Sequence, residues 1–211
     1  MIERIPTTDL VTDPGLLAFF EHRVKRTADE FGLDRDGWPS PAVLHWRNSA
    51  PGRSIIPGNP SGCFIHLTRG ADWHQARYQL AHEVTHCVLC PDHRPFEWVQ
   101  EMFAVHVSIR ALFEIGEDEY GKVALDRCCK ETGEANLTTR EMCEADLSVG
   151  YPDGLYPKAF AVGVQLVKVV GWEKLKRLGC LFDAYGKHDV SAWIADLPPE
   201  ERDGVSAILE I

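Results

Sequence analysis

The sequence has little that would place the protein in a membrane. Its N-terminal stretch, MIERIPTTDL, lacks the apolar segment of a signal peptide. The most apolar later run, AFAVGVQLVKVVGW, is too short to span a bilayer and carries Lys168. We therefore expect a cytoplasmic protein with no membrane partner; export by a non-classical route is the alternative.

Positive charge is also scarce. Lysine and arginine together number 22, against 32 aspartates and glutamates, and the formal net charge is −10. No stretch is basic enough to follow a phosphate backbone, so a nucleic-acid partner is not expected. The acidity itself is typical of a well-solvated protein surface.

The sequence also lacks a disulfide framework. Its seven cysteines are odd in number and follow no regular spacing, which favours reduced thiols in a reducing compartment. Cys87 and Cys90 form a C-x-x-C beside His86, but on a helix Cys87 points about 100° away from the His86 face. One ion is therefore not expected to bind both, and we interpret the two cysteines as buried thiols.

The chain does contain a short β-rich part followed by helical patterns. Two strands are predicted, AVLHW (42–46) and CFIHLT (63–68), joined by a long connection without regular structure over 47–62. The expected fold class is α+β, with a small mixed sheet and a mostly helical C-terminal half. Helices are predicted over 14–31, 72–90, 95–116, 118–132, 138–147, 158–170, 172–178, 189–195 and 200–209.

The segment LAHEVTHCVL carries the pattern H-E-x-x-H at His82, Glu83 and His86. Residues four apart on a helix lie on one face, so both imidazoles can reach one ion. On a helix this pattern is typical of zinc hydrolases, in which the glutamate accepts a proton from water. The pattern is short, and the alternative is a buried helix whose two histidines are satisfied by hydrogen bonds.

A catalytic zinc site needs three protein ligands and an open position, and the third ligand has four candidates: Asp92, His93, Glu97 and Glu101. HEVTHCVLCPD resembles the metzincin signature that ends in Asp, which implies Asp92. However, Leu89 stands where that family has the glycine of a sharp turn, so we rank Asp92 second and His93 below it. Glu97 shares a helix face with Glu101 and is an alternative third ligand. Its other interpretation is a solvated carboxylate at a helix start, where a negative charge is favourable.

The segment WVQEMFAVH (98–106) resembles the second ligand helix of the aminopeptidase-type gluzincins, which reads W-L-N-E-G-F-A-T-Y. Trp98, Glu101, Phe103 and Ala104 are identical to that pattern. Met102 stands where the family usually has glycine, which would narrow the pocket. The resemblance implies a zincin-like metallopeptidase fold with Glu101 as the third zinc ligand.

The resemblance continues in YPDGLYPKAF, where Tyr156 begins a counterpart of the family's Y-x-K-G. It implies that Tyr156 donates a hydrogen bond to the oxyanion and that Tyr151 assists. It also implies that GCFIHLT (62–68) is an edge strand that pairs with a peptide substrate. The exopeptidase sequence G-x-M-E-N does not occur in the chain, which favours an endopeptidase.

Together these features predict one zincin-like metallopeptidase domain over 1–211. The sheet and the ligand helices would occupy 1–116, and a helical subdomain would occupy 117–211. The expected partner is a peptide or protein substrate.

The expected site contains one Zn²⁺ bound by His82, His86 and Glu101. Glu83 would be the general base, and Tyr156 would stabilise the oxyanion. The alternatives are a non-catalytic regulatory or binding module on this fold, a metzincin-like peptidase that uses Asp92, and a hydrolase of another bond.

Overall fold

The computed structural model describes residues 9–33, 43–48, 52–56, 59–89, 97–134, 136–147 and 150–211. These residues form nine α-helices and a three-stranded sheet, which confirms the expected α+β class. No helix among them is both long and apolar enough to cross a membrane. Two compact units are present: Met1–His93 with Val107–Gly121, and Arg94–His106 with Lys122–Ile211.

The sheet of the first unit consists of β1 (Val43–Arg47), β2 (Gly52–Ile56) and β3 (Asn59–Thr68), in the order β1-β3-β2. β3 runs parallel to β1 and antiparallel to β2. The prediction of a connection without strands over 47–62 is wrong, because this segment contains β2 and the first residues of β3.

β3 is the central strand of this sheet. β1 pairs with one of its edges and β2 pairs with the other, so the hydrogen-bonding groups of its backbone face a partner strand on both sides. The expectation that residues 62–68 form an edge strand open to a peptide substrate is therefore wrong. The outer positions of the sheet belong to β1 and β2.

Helix α1 (Pro14–Phe31) begins and ends at the predicted residues. The carboxylate of Asp13 accepts a hydrogen bond from the Leu16 amide at 2.9 Å, and Gly32 ends the helix with a φ of 65°, a conformation that costs glycine little. α1 packs on α2 (Trp73–Leu89). The core formed by these helices and the sheet includes Leu16, Phe19, Leu44, Ile65, Leu67, Leu80 and Val84.

Helix α3 (Trp98–Glu114) contributes to both units: its residues up to 106 belong to the second unit and those from 107 to the first. In the second unit α6 packs against α5, α7 and α9. The remaining helices occur where the sequence predicts helices. They are α4 (Asp118–Glu134), α5 (Thr139–Glu144), α6 (Leu155–Val170), α7 (Trp172–Leu178), α8 (Val190–Ala195) and α9 (Pro199–Leu209).

Helix α6 begins three residues before the predicted start at Lys158. Gly154 has a φ of 81°, so it turns the chain into the helix at a position where other residues would be strained. Pro157 lies within the first turn, where its missing amide hydrogen breaks no helical hydrogen bond. Tyr156 therefore lies on the first turn of α6, two residues before the predicted start of this helix.

The second unit contains a close approach at Gly163 of α6. A Cβ atom on Gly163 would lie 2.7 Å from the Cγ of Met102 and closer still to the Nε2 of His106. His106 also donates a hydrogen bond from Nε2 to the carbonyl oxygen of Phe160 at 3.1 Å. The side chain of Met102, which stands where the gluzincins have glycine, is thus packed against the glycine of a neighbouring helix.

Candidate metal centre

Helix α2 places His82 and His86 one turn apart, with their Nε2 atoms 3.0 Å from each other. Both side chains are buried, and every residue of α2 from Gln79 to Leu89 is buried as well. This part of the helix is therefore shielded from solvent, and a polar group there needs a partner of its own.

Glu101 lies in the first turn of α3 and is 1% exposed. His82, His86 and Glu101 each offer one ligand atom, and these three atoms all lie within 4.8 Å of one another. Among the histidines, cysteines, aspartates and glutamates that the structure describes, these three residues form a group close enough to hold an ion.

The geometry of this group fits a zinc ion. Zinc binds imidazole nitrogen and carboxylate oxygen at about 2.0–2.2 Å, so two ligand atoms of a tetrahedral site lie about 3.3–3.6 Å apart. The 3.0 Å between the two Nε2 atoms is slightly shorter than that spacing. The 4.8 Å within which all three ligand atoms lie is wide enough to include the spacing of a zinc site. Two imidazoles and one carboxylate also match the ligand types of known catalytic zinc sites.

Glu83 follows His82 directly on α2 and is buried, with 5% of its surface exposed. It does not belong to the three-residue group. A buried carboxylate that follows a candidate ligand in the chain, and is not itself one of the group, has the chemistry that a general base needs.

Glu97 has a different role from the two that the sequence suggested. Its Oε2 accepts hydrogen bonds from the backbone amide of His188 at 2.7 Å and from the Nδ1 of the same residue at 2.8 Å. Glu97 is therefore neither a solvated helix start nor a member of the candidate ligand group. The two other candidates for the third ligand, Asp92 and His93, lie outside the described residues.

Tyr151 and Tyr156 lie side by side in the second unit. Their rings stack with centroids 5.8 Å apart and an interplanar angle of 8°. The hydroxyl of Tyr151 donates a hydrogen bond to Oε1 of Glu101 at 3.2 Å. Tyr156 is 42% exposed and lines an open pocket of about 670 Å³ that Pro152, Gly154 and Pro157 border, so its ring is accessible from solvent.

None of the cysteines whose side chains the structure describes belongs to the candidate ligand group. The structure describes the side chains of five of them, Cys87, Cys128, Cys129, Cys143 and Cys180, and it contains no disulfide among these five. Burial raises the pKa of Cys128 and of Cys143 to about 11, so these two thiols remain protonated at neutral pH. Cys90 lies outside the described residues. The prediction that both cysteines of the C-x-x-C are buried thiols therefore stays a prediction for Cys90.

The first unit holds a second pair of buried histidines, His45 and His66, that the sequence patterns did not indicate. His45 of β1 lies opposite His66 of β3 in the parallel ladder, and Nε2 of His45 contacts Nδ1 of His66. Burial, together with the neighbouring His45 and Arg47, lowers the pKa of His66 to about 4. The sequence shows a histidine within each predicted strand. The pairing of the two histidines could not be predicted from this, because it depends on the register of β1 and β3.

The comparisons with known proteins add no relative. The chain matches no family model, no curated protein and no solved structure. Its function is therefore inferred from the residues of the candidate centre and their geometry.

Proposed function

We propose that the protein is a zinc-dependent endopeptidase with a zincin-like fold. The observation that carries this proposal is the buried group of His82, His86 and Glu101, whose ligand atoms lie within 4.8 Å of one another. It gathers residues from two separate sequence patterns, H-E-x-x-H and the gluzincin-like WVQEMFAVH. Neither pattern alone required that the two segments meet.

Three protein ligands support a catalytic site in preference to a structural one, because structural zinc sites have four protein ligands. When bound there, a zinc ion supplies Lewis-acid chemistry, making water more acidic and polarising a carbonyl group. The mixture of nitrogen and oxygen ligands favours zinc over magnesium or calcium, which prefer oxygen ligands alone.

Glu83 is proposed as the general base. Its carboxylate accepts a proton from the attacking water as the water oxygen forms a bond to the carbonyl carbon of the substrate. The same carboxyl group then gives this proton to the amide nitrogen as the carbon–nitrogen bond breaks. The presence of Glu83 argues against a purely regulatory or binding module, because binding a metal through His82 and His86 does not need this carboxylate.

Tyr156 is proposed as the oxyanion donor. Its hydroxyl would donate a hydrogen bond to the carbonyl oxygen while that oxygen becomes negatively charged. Support comes from the exposure of its ring and from its stacking on Tyr151, whose hydroxyl donates a hydrogen bond to Glu101. The choice of a peptide as the substrate class rests on the gluzincin resemblance. The choice of an endopeptidase rests on the absence of the G-x-M-E-N sequence from the chain.

A direct test compares cleavage of a peptide library by the wild-type protein and by Glu83→Gln. The amide is nearly isosteric but cannot accept the proton, so this variant should retain zinc and lose hydrolysis. Glu173→Gln is the matched control, because that side chain is 83% exposed. Equal cleavage by Glu83→Gln and the wild type would disprove the proposed mechanism.

A further inference from the structure

Glu101 receives a hydrogen bond from a residue fifty positions later in the chain. The hydroxyl of Tyr151 donates to Oε1 of Glu101 at 3.2 Å. The Glu101 side chain is buried at 1% exposure, whereas Tyr151 is 43% exposed. The phenol ring thus extends from the surface of the second unit to an interior carboxylate.

The local sequence keeps Tyr151 in place. Pro152 follows it and restricts its backbone to extended conformations. Its ring lies almost parallel to the ring of Tyr156, at an angle of 8°, and Tyr156 itself is fixed on the first turn of α6. The hydroxyl is therefore directed toward Glu101 by a constrained backbone on one side and a stacked ring on the other.

We infer that Tyr151 is a positioning residue of the metal centre. By holding Oε1 of Glu101, its hydroxyl fixes the rotation of the carboxylate that would hold a zinc ion. Hydrogen bonds to ligands from a surrounding layer of residues set ligand orientation in metal sites, and their loss typically costs about 10- to 100-fold in metal affinity or activity. This inference rests on the proposed function, because it takes Glu101 as a ligand.

Tyr151 and Tyr156 should therefore be separable in spite of their stacking. Tyr151 acts through Glu101 and does not touch the substrate, so its effect appears in metal affinity. Tyr156 contacts the reacting carbonyl group, so its effect appears in turnover at full metal occupancy. The gluzincin resemblance implies that both tyrosines serve the oxyanion, whereas the hydrogen bond to Glu101 distinguishes them.

The experiment measures zinc affinity by competition with a chromophoric chelator, on the full chain. The variants are Tyr151→Phe, Tyr151→Leu, Tyr156→Phe and Glu101→Ala. We expect Tyr151→Phe to bind zinc about 10- to 100-fold more weakly than the wild type, and Tyr156→Phe to bind it equally well. The visible spectrum of the cobalt(II)-substituted protein should change in Tyr151→Phe and not in Tyr156→Phe. Melting temperatures of the metal-free proteins show that each variant is folded.

The outcomes separate this inference from the proposed function. If the wild type binds no zinc, or if Glu101→Ala binds it as tightly as the wild type, the proposed function fails and the inference with it. If Glu101→Ala loses zinc while Tyr151→Phe binds it like the wild type, only the inference is overturned. Weaker binding in Tyr151→Leu but not in Tyr151→Phe would also overturn it, because the stacked ring and not the hydroxyl would then be responsible.

Discussion

Glu97 accepts two hydrogen bonds from a single residue, His188: one from its backbone amide at 2.7 Å and one from its Nδ1 at 2.8 Å. Glu97 directly precedes α3, one helical turn before Glu101. His188 is almost completely buried, with 1% of its side chain exposed. The pair thus anchors the start of the helix that carries a candidate ligand.

Replacing Glu97 by alanine should therefore destabilise the protein without removing the proposed metal site. The change leaves two buried donors of His188 without their acceptor, at a cost of about 1–3 kcal/mol each. Urea denaturation of Glu97→Ala and of the exposed control Glu173→Ala would measure this difference. A folded Glu97→Ala protein that binds no zinc would instead identify Glu97 as a ligand.

The patterns that the sequence revealed were local ones. The helices, and the placement of His82 and His86 on one face of α2, follow from apolar periodicity and from capping residues such as Asp13. β2 was missed because its apolar run is short, and the start of β3 was missed because Pro60 argues against a strand interior. The hydrogen-bond partners of Glu97 and Glu101, which are His188 and Tyr151, could not be predicted, since they lie 91 and 50 residues away in the chain.

Gly163→Ala provides a test of the close packing around α6. In an open helix this change would stabilise the protein by about 1 kcal/mol. At this site the new methyl group would meet Met102 at 2.7 Å and would also meet His106, so we expect a destabilisation of about 1–3 kcal/mol. Gly204→Ala is the matched comparison, because the nearest contact of its new methyl group is a methyl group of Val169 at 3.0 Å. The loss of stability in Gly204→Ala should be smaller than in Gly163→Ala. Equal stabilisation of both variants in thermal unfolding would contradict the packing.

The His45–His66 pair predicts a loss of stability in mild acid. The pKa of His66 is lowered from 6.5 to about 4 in the folded protein, so the unfolded chain binds a proton first as the pH falls. The neutral, buried His66 therefore contributes its full stability above pH 6.5, and this contribution decreases between pH 6.5 and 4. The decrease amounts to about 3 kcal/mol at 1.36 kcal/mol for each pKa unit.

His66→Phe should flatten the pH dependence of the unfolding free energy in this range. The exposed residue His22 supplies the control: His22→Gln should keep the acid dependence of the wild type. Denaturation curves recorded between pH 7 and pH 4 would show the difference. A His66→Phe protein with the same acid dependence as the wild type would exclude His66 as its source.

Tyr156→Phe tests the proposed oxyanion donor. The phenylalanine keeps the ring and its stacking on Tyr151 and removes only the hydroxyl. Loss of one oxyanion donor typically lowers kcat about 100- to 1000-fold, and KM should change little, because the interaction develops in the transition state. Steady-state kinetics on a cleaved peptide at saturating zinc would measure both constants. A normal kcat would place the donor elsewhere.

The zinc content of the purified protein tests the central claim most directly, because the claim depends on which residues hold the ion. Elemental analysis should find one zinc per chain in the wild type and in Asp92→Ala, and it should find almost none in His82→Ala or Glu101→Ala. The opposite pattern, with zinc lost in Asp92→Ala and retained in Glu101→Ala, would contradict the ligand group of His82, His86 and Glu101.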